Sequence, residues 1–142
     1  MAYLSLAPVS TGIATLLNVA GLTALVSTRI YDDVPQNPTF PFVWYELKER
    51  DQRGFGTGGF PEVELRVHAF SSSDLYNGMG EAHSITAKVI ELLRDQAATI
   101  SGYAQAGRIF YDETVPLSDQ LIAGVKCREL VSMFRIYVEE SV

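Results

Sequence analysis

A second cysteine is missing, and with it any internal disulfide: Cys127 is the one thiol in 142 residues. The fold must therefore stand on its core alone, and a reducing compartment is the simpler expectation. Histidine is almost as scarce. His68 and His83 are the only two, one in an alternating strand pattern and the other in a helical one, with no HxxxH or HExxH spacing. A zinc site needs at least three convergent ligands, so no metal is expected. Cationic residues number 11 against 17 acidic ones, a net charge of −6. That balance argues against broad nucleic-acid binding, which requires clustered Lys and Arg on phosphates. Long apolar runs are lacking too. Ile13 to Val26 is broken by Thr15, Asn18, Gly21 and Thr23 and falls short of the ~20 residues that a bilayer requires. Met1 to Ser10 has no basic n-region, so neither a secretory leader nor a membrane span is expected.

What is present describes one globular domain over residues 1–142. Apolar residues make up 47% and charged residues 20%, which is enough apolar surface for a core and too little charge for disorder. Ser10 or Thr11 can cap a first helix carrying Ile13, Leu16, Leu17 and Ala20, interrupted near Asn18 and Gly21, with a short turn after it holding Leu22, Leu25 and Val26. Ile30 and Tyr31 suggest a short extended piece, and Asp32 to Pro41 a proline-rich loop.

Two strands follow. Phe42 to Arg50 places Val43, Tyr45 and Leu47 on one face and Trp44, Glu46 and Lys48 on the other. Beyond a glycine-rich connection, Asp51 to Phe60, the run from Glu62 alternates most regularly. Val63, Leu65, Val67 and Ala69 oppose Glu62, Glu64, Arg66 and His68, the pattern of an antiparallel strand with one wet face. Ser73 to about Ala98 reads as a long helix whose stripe includes Met79, Ala82, Thr86, Val89, Ile90 and Leu93. Tyr103 to Asp112 reads as a third strand, Pro116 to Gln120 as a turn, and Val125 to Glu139 as a last strand. Together these predict an α+β fold: an antiparallel sheet of about four strands, with a long helix and a short N-terminal helix packed on one face.

No catalytic pattern emerges. Gly54-Phe55-Gly56-Thr57-Gly58-Gly59 spells GxGxxG, but Phe60-Pro61 and a strand follow it where a dinucleotide site needs a helix N-terminus. No cofactor is expected from it. The acidic pairs Asp32-Asp33, Asp112-Glu113 and Glu139-Glu140 lack a basic clamp or an aromatic groove around them. Cys127 reads as a small strand residue. The densest basic cluster is Lys48, Arg50 and Arg53 at the glycine loop, a solvated hairpin end or a rim that meets an acidic neighbour. With Trp44, Phe55 and Phe60 these residues form the candidate protein-binding set.

One arrangement resembles a known family. Gly21-Leu22-Thr23-Ala24-Leu25-Val26, then Arg29-Ile30-Tyr31-Asp32-Asp33-Val34-Pro35-Gln36, then Pro41-Phe42-Val43 are similar to the tail-completion, or tail-terminator, proteins of long-tailed phages and gene-transfer particles. Glu62 to Phe70, Ser73 to Ala98 and Phe134 to Glu140 continue the likeness, and the glycine loop departs from it. The resemblance implies a non-enzymatic virion protein, assembled in the host cytoplasm. It implies a homo-oligomeric ring, a hexamer, at the head-proximal end of the tail. Such a ring would cap the tail tube protein, meet a head-connector protein, and meet DNA only as it passes through the lumen. The alternatives are a head-closure or connector adaptor and, from a different class, a small-ligand binding domain.

Overall fold

A computed structural model describes residues 5–51, 61–72 and 79–140. The chain enters through α1 (Ala7–Leu17), with Pro8 in its first turn, where a missing N–H costs nothing. Val9, Gly12, Ile13 and Leu17 make its buried side. The break expected near Asn18 is there: α2 (Ala20–Val26) leaves at 84° to α1. Gly21, however, lies inside α2, against the Lys88 side chain. Among the described residues no single helix is long and apolar enough to cross a membrane.

Strands outweigh helices. β1 (Ile30–Tyr31), β2 (Phe42–Asp51), β3 (Glu62–Ser72), β4 (Tyr103–Gln105), β5 (Phe110–Ile122) and β6 (Val125–Glu140) form one sheet, and α3 (Gly80–Leu93) lies between β3 and β4 in sequence. The path runs β1-β2-β3-β6, and the outer edge of β6 is shared by β5 along most of its length and by β4 at its end. β1 is parallel to β2, and every other pair is antiparallel.

The expected four-stranded antiparallel sheet with a long helix is therefore corrected on three counts. First, Ile30 and Tyr31 pair in parallel with Val43 and Trp44, which makes the sheet mixed. Arg29 fixes this join, because its carbonyl accepts the Val43 N–H and its Nε donates to the Pro41 carbonyl at 2.8 Å. Second, the run from Tyr103 is two strands. Gly107 has φ +81° in the connection between them. Gln105 braces that connection, accepting from the Ala98 N–H and donating to the Gln96 and Gly107 carbonyls. Pro116 to Gln120, expected as a turn, lies inside β5, whose outer edge tolerates a proline. The reversal comes later, at Ala123-Gly124, both with positive φ, in a two-residue hairpin.

Third, the helix is short. α3 has 14 residues, and residues 73–78 of the expected span lie outside the described residues. At its end Arg94 is extended and Asp95 has φ +61°. The Asp95 N–H then bonds the Ile109 carbonyl instead of continuing the helix.

Period-two alternation decides the core. Val43, Tyr45, Val63, Leu65, Val67, Phe134, Ile136 and Val138 share one face of the sheet, and all are buried. Ile13, Leu17, Leu22, Val26, Ile85, Val89 and Leu93 cover them. A second cluster, Phe42, Phe70 and Cys127, lies on the opposite face under Val34, Phe40 and Ile122.

Candidate functional site

Among the described residues the opposite face has no helix over it, and the sequence suggests it should be wet. Its centre is not. Glu64 and His68 are each only 7% exposed, and Glu129 is 3% exposed. His68 and Glu129 are engaged by partners on the neighbouring strands.

At the centre stands His68 on β3. Its Nε2 lies 2.8 Å from Glu46 Oε2 on β2, and its Nδ1 is hydrogen-bonded to Glu129 Oε2 on β6. Gln120 on β5 donates Nε2 to the other Glu129 oxygen at 2.5 Å. Four neighbouring strands are thus tied by side chains across one face. The Trp44 indole stacks on the imidazole at 4.3 Å, and its Nε1 donates to the Asp32 carbonyl. A neutral imidazole has one N–H, so bonding both ring nitrogens to carboxylates requires one further proton, on the ring or on a carboxyl. With both nitrogens occupied, the ring offers no lone pair to a substrate or a metal. Among the described residues, no group of three or more His, Cys, Asp or Glu is placed to hold a metal ion.

A second linked set lies nearer β4. Arg135 donates Nε to both Asp112 oxygens, at 2.9 and 3.0 Å, and Nη1 to the Tyr137 hydroxyl, which donates in turn to Glu62. The guanidinium lies over the Phe110 ring, 5.4 Å from its centroid. The bonds to Asp112 hold the Arg135 pKa above its ordinary value. Cys127 is buried beside Phe42 and Phe70, and burial, reinforced by Glu129 and Asp119, pushes its thiol up to about 11. It is inert at neutral pH.

Of the predicted contact residues, Trp44 and Lys48 lie on this face. Trp44 is half-buried with one ring face covered by His68, so it is not a free-standing anchor; Lys48 is exposed, opposite Glu64 in register. Arg50 belongs to β2, and Arg53, Phe55 and Phe60, together with the glycine loop, lie outside the described residues. His83 is exposed on α3. The His68 array was not predicted as a unit. Its members are far apart in the chain, and the register alone brings them together.

The most exposed large apolar groups among the described residues are on β5. Phe110, Leu117 and Leu121 are 46, 44 and 72% exposed. Among the described residues β5 pairs only with β6, so its outer edge is open.

No curated protein sequence matches the chain. A chain in a structure of the virion of a native gene transfer agent particle is similar at a TM-score of 0.73 and 21% identity, over 95% of this chain and 99% of that one. Another solved chain is similar at a TM-score of 0.66 and 9% identity, over 99% of both. Both likenesses speak to the fold, an open mixed sheet under short helices. The family model described as tail completion protein gp17 matches residues 13–139, from the middle of α1 almost to the end of β6, and the chain belongs to that family.

Proposed function

We propose that the protein is a tail-terminator subunit of a virion: a ring, six-fold in this reading, that caps the tail tube at its head-proximal end and forms the joint to the head connector. The observation that carries it is the open outer edge of β5 with Phe110, Leu117 and Leu121 exposed along it. An edge strand bearing large apolar groups is a liability in a solitary molecule and an asset in an assembly. A ring closes through heterologous contacts, which need two different complementary surfaces on each subunit. An open sheet whose borders differ, two residues of parallel β1 on one side and thirteen residues of β5 on the other, supplies unlike surfaces.

Membership in a tail-completion family supports a structural role at the tail, and the likeness to a chain of a virion particle supports incorporation into one. The His68 array supports binding over chemistry, because both ring nitrogens of His68 and both oxygens of Glu129 are engaged within it. We assign the basic and aromatic stretch of Lys48, Arg50, Arg53, Phe55 and Phe60, with Trp44 nearby, to contact with the neighbouring virion proteins.

Copurification is the test. The chain is expected to bind tail tube protein and to form a closed oligomer on it in native mass spectrometry. Binding to portal protein in place of tube protein would move the assignment to a head-closure adaptor. A strict monomer in the presence of both would refute it.

A further inference from the structure

Among the described residues the helix layer leaves one flank of α3 open. α3 packs on β3 and β6, and one of its flanks is covered by α1 and α2. Its other flank faces β5 across a largely apolar groove of about 570 Å³, lined by Met79 at the N-cap of α3, by Ala87 and Ile90 from α3 and by Pro116 and Leu130 from the sheet. Thr86 lines the same groove, is only 6% exposed, and among the described residues its hydroxyl has no hydrogen-bond partner. A buried, unsatisfied hydroxyl beside an open apolar trough is unusual in a finished surface.

The complement lies on the other side of the molecule. α2 leads into β1, the sheet edge opposite β5, and carries Leu25 at 39% exposure; Val19 at its N-cap is 38% exposed. The polarity agrees with the shapes. Neither surface carries a formal charge: α2 and Val19 contain no Asp, Glu, Lys or Arg, and neither do the residues that line the groove.

We propose that the groove between α3 and β5 receives the α2 flank of a second copy of this chain, Leu25 and Val19 entering the trough beside Ala87 and Ile90. α3 would then have an α2 on either flank, its own on one side and a neighbour's on the other, and the helix layer would continue from subunit to subunit. Pro116 and the two irregularities in the β5–β6 pairing oppose addition of a strand to β5. Side-chain seating is the contact that this border favours. The inference rests on the ring reading above and names the surfaces that close it.

The test uses the full chain with tube protein, and native mass spectrometry reads assembly. Ala87 is exposed on a helix, so Ala87→Arg blocks the groove without entering the core. It is expected to raise the concentration needed for assembly about tenfold or more, with an unchanged thermal transition. Independently, single-site variants Leu25→Cys and Ala87→Cys, mixed and gently oxidised, are expected to give the mixed disulfide dimer in excess over either homodimer, with Cys127 silent because it is buried. If Ala87→Arg also lowers the thermal transition, the cross-link decides. Assembly by folded Ala87→Arg at wild-type concentrations, or an oxidised mixture without the mixed dimer, overturns these surfaces and leaves the ring intact. A wild-type chain that stays monomeric with tube protein overturns both.

Discussion

His68 reaches Glu129 diagonally. Its register partner on β6 is Val131, and Glu129 stands opposite Phe70, yet the imidazole Nδ1 is hydrogen-bonded to the Glu129 carboxylate. The same ring bonds Glu46 on the other neighbouring strand and carries Trp44 on its face. Removing one member of a buried ionic set leaves the others uncompensated, at about 3–5 kcal/mol. His68→Ala is therefore expected to destabilise the chain by that order in urea unfolding. Gln120→Ala, which leaves Glu129 its bond to His68, should cost only about 1 kcal/mol. Equal effects of the two substitutions would show that His68 is not the centre of the array.

Gly12 is buried on α1, and a Cβ there would stand 2.7 Å from the Thr99 carbonyl oxygen, a backbone atom that cannot step aside. Gly12→Ala is expected to cost about 1–3 kcal/mol through overpacking, despite the better helix propensity of alanine. Gly80 opens α3, and no described residue lies within 4 Å of its would-be Cβ. Gly80→Ala should be neutral or stabilising by up to about 1 kcal/mol. Thermal melts of the two variants in one buffer check the contrast.

The strands around the core were legible because period two survives when one face is buried. Val43, Tyr45, Val63, Leu65, Phe134 and Ile136 could be placed on a common side by counting alone. β5 was not legible. Pro116, Ser118 and Asp119 are turn formers, and an edge strand with an open border tolerates them without announcing itself. The α3 boundary failed for a related reason: Asp95 leaves the helix to bond Ile109, a partner that only the tertiary structure supplies. For the candidate site, counting put His68 and Glu46 each on the strand face opposite the apolar set. Glu129 and Gln120 join them only through the β3–β6–β5 register, and a burial of 7% at His68 cannot be read from an alternating charged strand.

Cys127 gives a pH prediction with a definite sign. Burial, then Glu129 and Asp119, raise the folded thiol from 9.0 to about 11. Because the folded value exceeds the unfolded one, the contribution to stability is complete below pH 9 and is lost as pH rises from about 9 to 11. Iodoacetamide should leave the native protein unlabelled at pH 8 and modify it fully in urea. Unfolding midpoints of the wild type should fall more steeply between pH 9 and 11 than those of Cys127→Ala. Parallel slopes would show that the thiol contributes nothing there.

The β5–β6 reversal places a non-glycine residue, Ala123, at φ +52° and Gly124 at φ +80°. A side chain in the left-handed region costs roughly 1–2 kcal/mol, and asparagine is among the side chains that adopt it most readily. Ala123→Asn is therefore expected to raise stability by about 0.5–1 kcal/mol, since asparagine suits the first position of a two-residue hairpin turn. Gly124→Ala should lower it by about 1 kcal/mol, as it imposes on the second position the strain that Ala123 already carries at the first. Both positions are exposed, so packing does not confuse the reading. Because this hairpin sets where β5 lies against β6, the pair also bears on assembly. If β5 is the seat of a neighbouring copy, Gly124→Ala should weaken assembly together with stability, and Ala123→Asn should leave assembly unimpaired. Urea unfolding and native mass spectrometry on the same preparations separate the two effects.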